Sequence, residues 1–548
     1  MNTTTLMASV DEVVASFAAD SATKGPLLPL ATLLARLRSA SPDARFWGAV
    51  GDAMIRNGFA EPAAAVLAAG LQQHPQNAEL LYLRGNALRV SARYQEAEQE
   101  FRAALALAPR HRNASLSLAF MLRELGRVDA AAQVAVSLWQ HQRDDADLTA
   151  ALLEFLRECA AHAAAAPIAM AAQTRWPQHA RIAALAGELA LALGDFPGAR
   201  AALRRAVELD PGQSSAWLRL SYCTHCDDAS DPDLLLLEAA WTGDSLPPAS
   251  RICAGFGLAK LRDDLDDVAQ ASSVLRAANA LARAASPWDA AKWRALVERQ
   301  LAARSLPTLE PDSTFVPVFI VGMPRTGTTL LATRLARHPQ VHDRGELNWI
   351  ASMHAHLASQ DALTDRAALQ AIASLITTQV RRDDAPARYY VDKNPLNFRY
   401  LNLIHALFPN ARVIHCRRGA RDTALSLWSQ HFAHPDLAFS YDFDAIAQVA
   451  ADHDALMQHW RTRLPLPILD VSYEALVAEP DAQLSRLADF LALPSLSELA
   501  GADYAVTRVI ATASVWQARQ PVYTQSVGRW KRYAPFIPEL TAMFQENG

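Results

Sequence analysis

Cysteine is scarce: five residues in 548, at positions 159, 223, 226, 253 and 416. So few thiols in so long a chain exclude a disulfide-stapled scaffold and fit a reducing compartment. Glycine is sparse too, at 21 residues, which excludes collagen-like and glycine-rich disordered classes. No charge of one sign dominates, since 52 basic residues stand against 57 acidic ones, a formal net charge of −5. Without an overall basic field, bulk nucleic-acid binding is not indicated. Long apolar runs are missing. The most apolar stretch, Ala160–Ala172, is mostly alanine, carries a histidine and a proline, and is too short to span a bilayer. The opening segment, MNTTTLMASVDEVVASFAAD, has neither a basic start nor a continuous apolar core, so no secretory signal is legible. These absences lead us to expect a soluble, cytoplasmic protein with no membrane or nucleic-acid partner.

What is present first is a repeat. Blocks of 34 residues align without a gap from Ala44, beginning again at Ala78, Arg112, Ala146 and Ala180. Pro75, Pro109, Pro177 and Pro211 share one block position, and Gly51, Gly85, Ala119 and Gly187 share another. A third position carries Ala63, Ala97, Ala131, Ala165 and Ala199. Gly58, Gly126 and Gly194 fall where a turn would join two helices. Each block therefore reads as a pair of amphipathic helices. Small residues let the pair approach closely, and proline ends the second helix. The pattern resembles the tetratricopeptide family, most clearly in YLRGNALRVSARYQEAEQEFRAALALAPRH; the alternative is a plain alanine-rich bundle.

After Gln213 the register loosens, yet 214–300 still reads helical, as diverged repeats or as the cap a solenoid needs over its open end. Cys223 and Cys226 form a lone C-x-x-C there, with no second pair at metal-binding spacing, so they read as structural thiols. Residues 301–314 form a polar, proline-containing linker. Beyond it short apolar runs appear at Val318–Val321, Tyr389–Val391, Val413–Cys416 and Ile468–Val471, separated by helical stretches. Strands alternating with helices predict an α/β domain with a parallel sheet covered on both faces. We therefore expect an N-terminal helical segment over 1–43, repeats over 44–213, diverged repeats or a cap over 214–300, the linker, and an α/β domain over 315–548.

Ligands of such sheets bind at the carboxyl ends of the strands. The first run leads into VGMPRTGTTLLATRL, a strand, a glycine-containing loop and a helix whose backbone amides suit a phosphate. Gly322 and Gly327 have nucleotide P-loop spacing, but Thr328 stands where that motif has the lysine that reaches the β- and γ-phosphates. This argues against hydrolysis of ATP or GTP. The third run leads into CRRGARDTALSLW, where Arg418 and Ser426 lie eight apart across a strand-to-helix turn. A guanidinium and a hydroxyl suit a phosphate dianion. Two phosphate sites at neighbouring strand ends are what a nucleotide phosphorylated at both ends would require.

The series PRTGTT, RGE, DKNP and CRR, in this order, resembles the PAPS-dependent sulfotransferases (PAPS is 3′-phosphoadenosine-5′-phosphosulfate) over residues 315–534. Within them it is most similar to the protein-tyrosine sulfotransferase-like branch, which includes bacterial members with N-terminal tetratricopeptide repeats. The resemblance implies transfer of a sulfuryl group from PAPS to an acceptor hydroxyl. It makes Glu346 the general base, Lys393 the cation at the bridging oxygen, and Arg325 both a ligand of the 5′-phosphosulfate and a catalytic cation that neutralises the transferring group. Thr326, Gly327, Thr328 and Thr329 would supply loop donors, and Arg418 and Ser426 the 3′-phosphate site. Tyr473, Ser514 and Arg529 would complete the nucleotide contacts, with Trp530 packed nearby. His415 reads as a core histidine inside a strand, and His431 as a minor rival for the base. No metal is expected. A tyrosine of a protein or peptide is the favoured acceptor, and a repeat superhelix offers a surface to hold one. A glycan or small-molecule hydroxyl is the alternative acceptor. A repeat scaffold carrying an inactive nucleotide fold is the alternative class, and self-association through the array stays open.

Overall fold

A computed structural model describes residues 9–382, 387–493 and 526–544. The chain folds as two compact units, Met1–Ala165 and Ala166–Gly548. The division falls inside a repeat and not at the 301–314 linker. No described helix is long and apolar enough to cross a membrane.

The 34-residue period sets where helices start. First helices open at Ala44, Ala78, Arg112, Ala146 and Ala180, and second helices at Ala60, Tyr94, Val128, His162 and Phe196. The residue before each first helix is its cap: Asp43, Asn77, His111, Asp145 and His179 each accept the third amide of the helix. Such caps satisfy donors that would otherwise be orphaned. Within a pair, a Cβ on Gly51 would stand 2.5 Å from Leu67, and one on Gly85 2.6 Å from Phe101. The left-handed turn between paired helices falls on Gly58, Gly126 and Gly194, but also on Ala92 and Ala160, at φ of 58° and 57°. Helices Ser214–Ser221 and Pro248–Asp264 still start on the period, although the sequence markers have faded.

In the second unit the α/β fold carries a five-stranded parallel sheet in the order β2-β3-β1-β4-β5. Its strands are β1 (Val316–Gly322), β2 (Val341–Asp343), β3 (Tyr389–Asp392), β4 (Arg412–Arg417) and β5 (Ile468–Ser472). The three-residue β2 lies outside the runs the sequence offered. Side chains alternate between two cores, as strand geometry requires. Val318 and Ile320 face one core with helix Thr328–Leu335, while Phe319 and Val321 face the other. That second core is continuous with the helical segment, running through Trp217, Phe256, Leu275 and Trp293 to the sheet. The 301–314 stretch is stitched down: Leu309 donates its amide to Ala406 (2.9 Å), and Asn402 donates to the Arg304 carbonyl (3.0 Å). Cys223 and Cys226 are buried in the same core, and burial pushes the Cys223 thiol up to about 12.

Candidate active site

Three loops lie at the carboxyl ends of neighbouring strands β1 to β4. The first follows β1. Gly322 takes a φ of +146° and passes so close to β4 that a Cβ there would meet the Cys416 carbonyl oxygen at 2.3 Å. Arg325 adopts a φ of +71°, a left-handed conformation that costs a non-glycine residue about 1–2 kcal/mol. Gly327, at +91°, then opens helix Thr328–Leu335, and the Tyr473 ring packs 2.6 Å from where its Cβ would stand. The hydroxyl of Thr326 donates to the Met323 carbonyl (2.7 Å). Thr326 thus closes the loop with its side chain. Thr328 is buried and Thr329 half-buried at the helix start.

The second loop joins β4 to helix Ala420–Trp428, called here the anion helix. The Arg418 guanidinium lies 4.6 Å from the Tyr473 ring centroid. It donates to the Arg325 carbonyl (3.1 Å) and to the Ser526 carbonyl (2.6 Å). Its Nε is buried with no partner among the described residues. Burial pushes this guanidinium below its ordinary pKa. On the anion helix, Ser426 accepts from Arg325 Nε at 3.1 Å. Arg325, Arg418, Ser426, Gly327 and Tyr473 therefore converge. A buried, partly unsatisfied guanidinium beside a glycine loop is the donor set for a phosphate or sulfate group.

The third loop follows β2, whose carboxyl end lies beside that of β3. Gly345 (φ +74°) donates its amide to Asp343 at 2.9 Å, and Lys393 donates its amide to the Gly345 carbonyl at 2.8 Å. Lys393 Nζ then meets Glu346 Oε1 at 2.5 Å, with the lysine side chain 2% exposed and the glutamate 51%. Neighbouring Asp392 is buried and accepts from the Leu347 and Asn394 amides and from Asn397 Nδ2 (2.9 Å). Burial outweighs those bonds and pushes its carboxyl up to about 7.

Other expected residues fall elsewhere. His415 is a core residue: it bonds Asp470 (2.7 Å) and His453 (3.0 Å), and burial lowers its pKa. His431 is wedged between Phe256 and Tyr441. Arg529 pairs with Asp263 at 2.6 Å, and Trp530 lies under the Arg421 guanidinium. Ser514 lies outside the described residues. Sequence reasoning overlooked Asp422, which is buried and accepts the Gly528 amide (2.6 Å) and the Trp530 amide (3.0 Å). An acid inside the basic run CRRGARD was the available signal. No group of metal-ligating side chains occurs among the described residues.

Residues 317–498 match the sulfotransferase family, and residues 78–111 and 180–223 match tetratricopeptide repeats. An uncharacterized protein of Aquifex aeolicus is 28% identical over 406 residues, which is 70% of this chain and 52% of that one. Protein-tyrosine sulfotransferase 2 of Gallus gallus is 23% identical over 240 residues, covering 40% of this chain and 64% of its own. The chain thus spans about half the length of the first relative and under two thirds of the second. Among solved structures, the sulfotransferase domain of a Synechococcus olefin synthase aligns at 18% identity and a TM-score of 0.26, over 42% of this chain and 98% of its own.

Proposed function

We propose that this chain, which carries a sulfotransferase-family domain behind tetratricopeptide repeats, transfers a sulfuryl group from PAPS to a tyrosine hydroxyl of a protein or peptide. The observation that carries the reading is the convergence of Arg325, Ser426 and the unsatisfied Arg418 at one pair of strand ends, with the Lys393–Glu346 pair at the next strand. In this transfer the acceptor oxygen takes the sulfur as the bond from sulfur to the 5′-phosphate oxygen breaks. The products are the sulfate ester, 3′,5′-ADP and a proton.

Each residue has a distinct task. The loop amides of 326–329 and the Arg325 guanidinium hold the 5′ end. Arg418 and Ser426 hold the 3′-phosphate, with Tyr473 fixing both Gly327 and Arg418 by contact. Glu346, half-exposed, meets an acceptor arriving from solvent and takes its hydroxyl proton. Lys393 uses one N–H to orient Glu346 and has two more for charge developing on the leaving oxygen. The exposure of Glu346 favours a macromolecular acceptor over a small enclosed one. Five buried free thiols support a reducing, cytoplasmic setting.

The test is thermal stability with 3′,5′-ADP, AMP and ATP for wild type and Arg418→Ala. A ligand that binds only the folded state adds about 2.7 kcal/mol at 100 times its dissociation constant. We expect the largest shift with 3′,5′-ADP, and its loss in Arg418→Ala. A preference for ATP, or no shift with 3′,5′-ADP, refutes the reading.

A further inference from the structure

The anion helix is gripped from two sides by parts of the chain outside the matched sulfotransferase region. One is the C-terminal stretch 526–544. Three residues around the start of the anion helix tie it down. Arg418 donates to the Ser526 carbonyl, Asp422 accepts the Gly528 and Trp530 amides, and Arg421 donates to the Phe544 carbonyl at 2.7 Å while covering the Trp530 ring. The other is the helical segment before the sheet. Asp263, at the end of helix Pro248–Asp264, accepts from Arg529 (2.6 Å) and from the Tyr533 hydroxyl (2.7 Å). Arg276, on helix Val268–Ala285, pairs with Glu539 at 2.8 Å. Asn279, on the same helix, is buried and donates to the Trp428 carbonyl at the far end of the anion helix. The C-terminal stretch is thus a strap fastened to the helical segment at one side and to the anion helix at the other.

We propose that Asp263 is a positioning residue for the donor nucleotide: by holding Arg529 and Tyr533 it fixes the strap, which aligns Arg418 on the 3′-phosphate. This deepens the donor assignment made above and rests on it. The chain of contacts is short. Ser526 lies three residues before Arg529, and its carbonyl fixes one Arg418 nitrogen while the Arg325 carbonyl fixes another. Those two anchors orient the remaining Nε, the donor that has no protein partner among the described residues. Without the Asp263 carboxylate, the largely buried Arg529 loses its counter-charge, which strongly disfavours the docked strap. Arg529 therefore serves the nucleotide through the strap, and the helical segment becomes part of the donor site.

The experiment compares wild type, Asp263→Asn, Arg529→Met and the double variant, with two readouts. The first is hydrogen exchange. We expect Gly528 and Trp530 amide protection to fall in each single variant while the strands stay protected, which separates strap release from unfolding. The second is 3′,5′-ADP affinity, expected to weaken by about tenfold or more in each single variant, with the double no worse than either. At saturating donor, kcat and the acceptor KM should change by less than about twofold, because the reacting groups are untouched. Unchanged protection in Asp263→Asn, or affinity within about twofold of wild type, overturns the proposal. Additive losses in the double variant also overturn it, since Arg529 would then act on the nucleotide itself. If wild type fails to bind 3′,5′-ADP, the donor assignment falls, and retained or lost protection still decides whether Asp263 holds the strap.

Discussion

Lys393→Met separates what this residue costs the fold from what it gives the chemistry. The lysine side chain is 2% exposed, and its partner Glu346 is 51% exposed. Withdrawing an ammonium from water costs several kcal/mol even after relaxation. An ion pair whose carboxylate sits half in solvent returns about 1 kcal/mol or less. Methionine keeps the unbranched stem and its packing, and it leaves behind a carboxylate that water can solvate. The variant should therefore be as stable as wild type or more so, its melting temperature unchanged within about 2 °C or raised. Turnover should fall on the order of 10²–10³, the usual loss for one preorganised donor at a developing oxyanion, about 3–4 kcal/mol. The assay pairs a melt with initial rates of sulfuryl transfer at saturating donor. A variant that melts lower yet turns over normally would make Lys393 a structural residue and refute the reasoning.

Asp392 gives a pH signature. Its folded pKa, about 7, lies above the unfolded carboxylate value near 3.9, so the folded state binds the extra proton. Its stabilising contribution is full below about pH 4 and is lost as pH rises to about 7. Relative to wild type, Asp392→Asn should gain stability between pH 5 and pH 8, measured by denaturant unfolding; a flat difference contradicts the burial argument. Arg325→Gly should relieve the left-handed strain, raising stability by about 1 kcal/mol while abolishing donor binding, read by melts and calorimetry. Ala160→Gly, at the turn where three other repeats carry glycine, should stabilise by about 1 kcal/mol without affecting turnover, and a loss of stability would contradict the turn assignment.

Much of this molecule was legible because its signals are local. Helix starts at Ala44, Ala78, Arg112, Ala146 and Ala180 follow from caps and periodicity within one block. The four apolar runs became β1, β3, β4 and β5, and their order put the Arg325 and Arg418 loops side by side. Strand β2 was missed because three residues carry no alternation to read. Asp422 and Asp263 were missed for another reason. Each acts on residues more than a hundred positions away, and nothing in their own neighbourhood marks the partner. Thr326 lies in the loop after β1, but a hydroxyl turned inward to Met323 is a matter of loop closure that spacing does not reveal.

The central claim is that Glu346, Lys393 and the two anion loops act together on one sulfuryl group. It is tested most directly by incubating the purified protein with radiolabelled PAPS and a tyrosine-containing peptide, beside Glu346→Gln. We expect label in tyrosine O-sulfate with wild type and its loss in Glu346→Gln, while 3′,5′-ADP binding persists. Donor binding without transfer to any hydroxyl, or transfer that survives Glu346→Gln, would contradict the account.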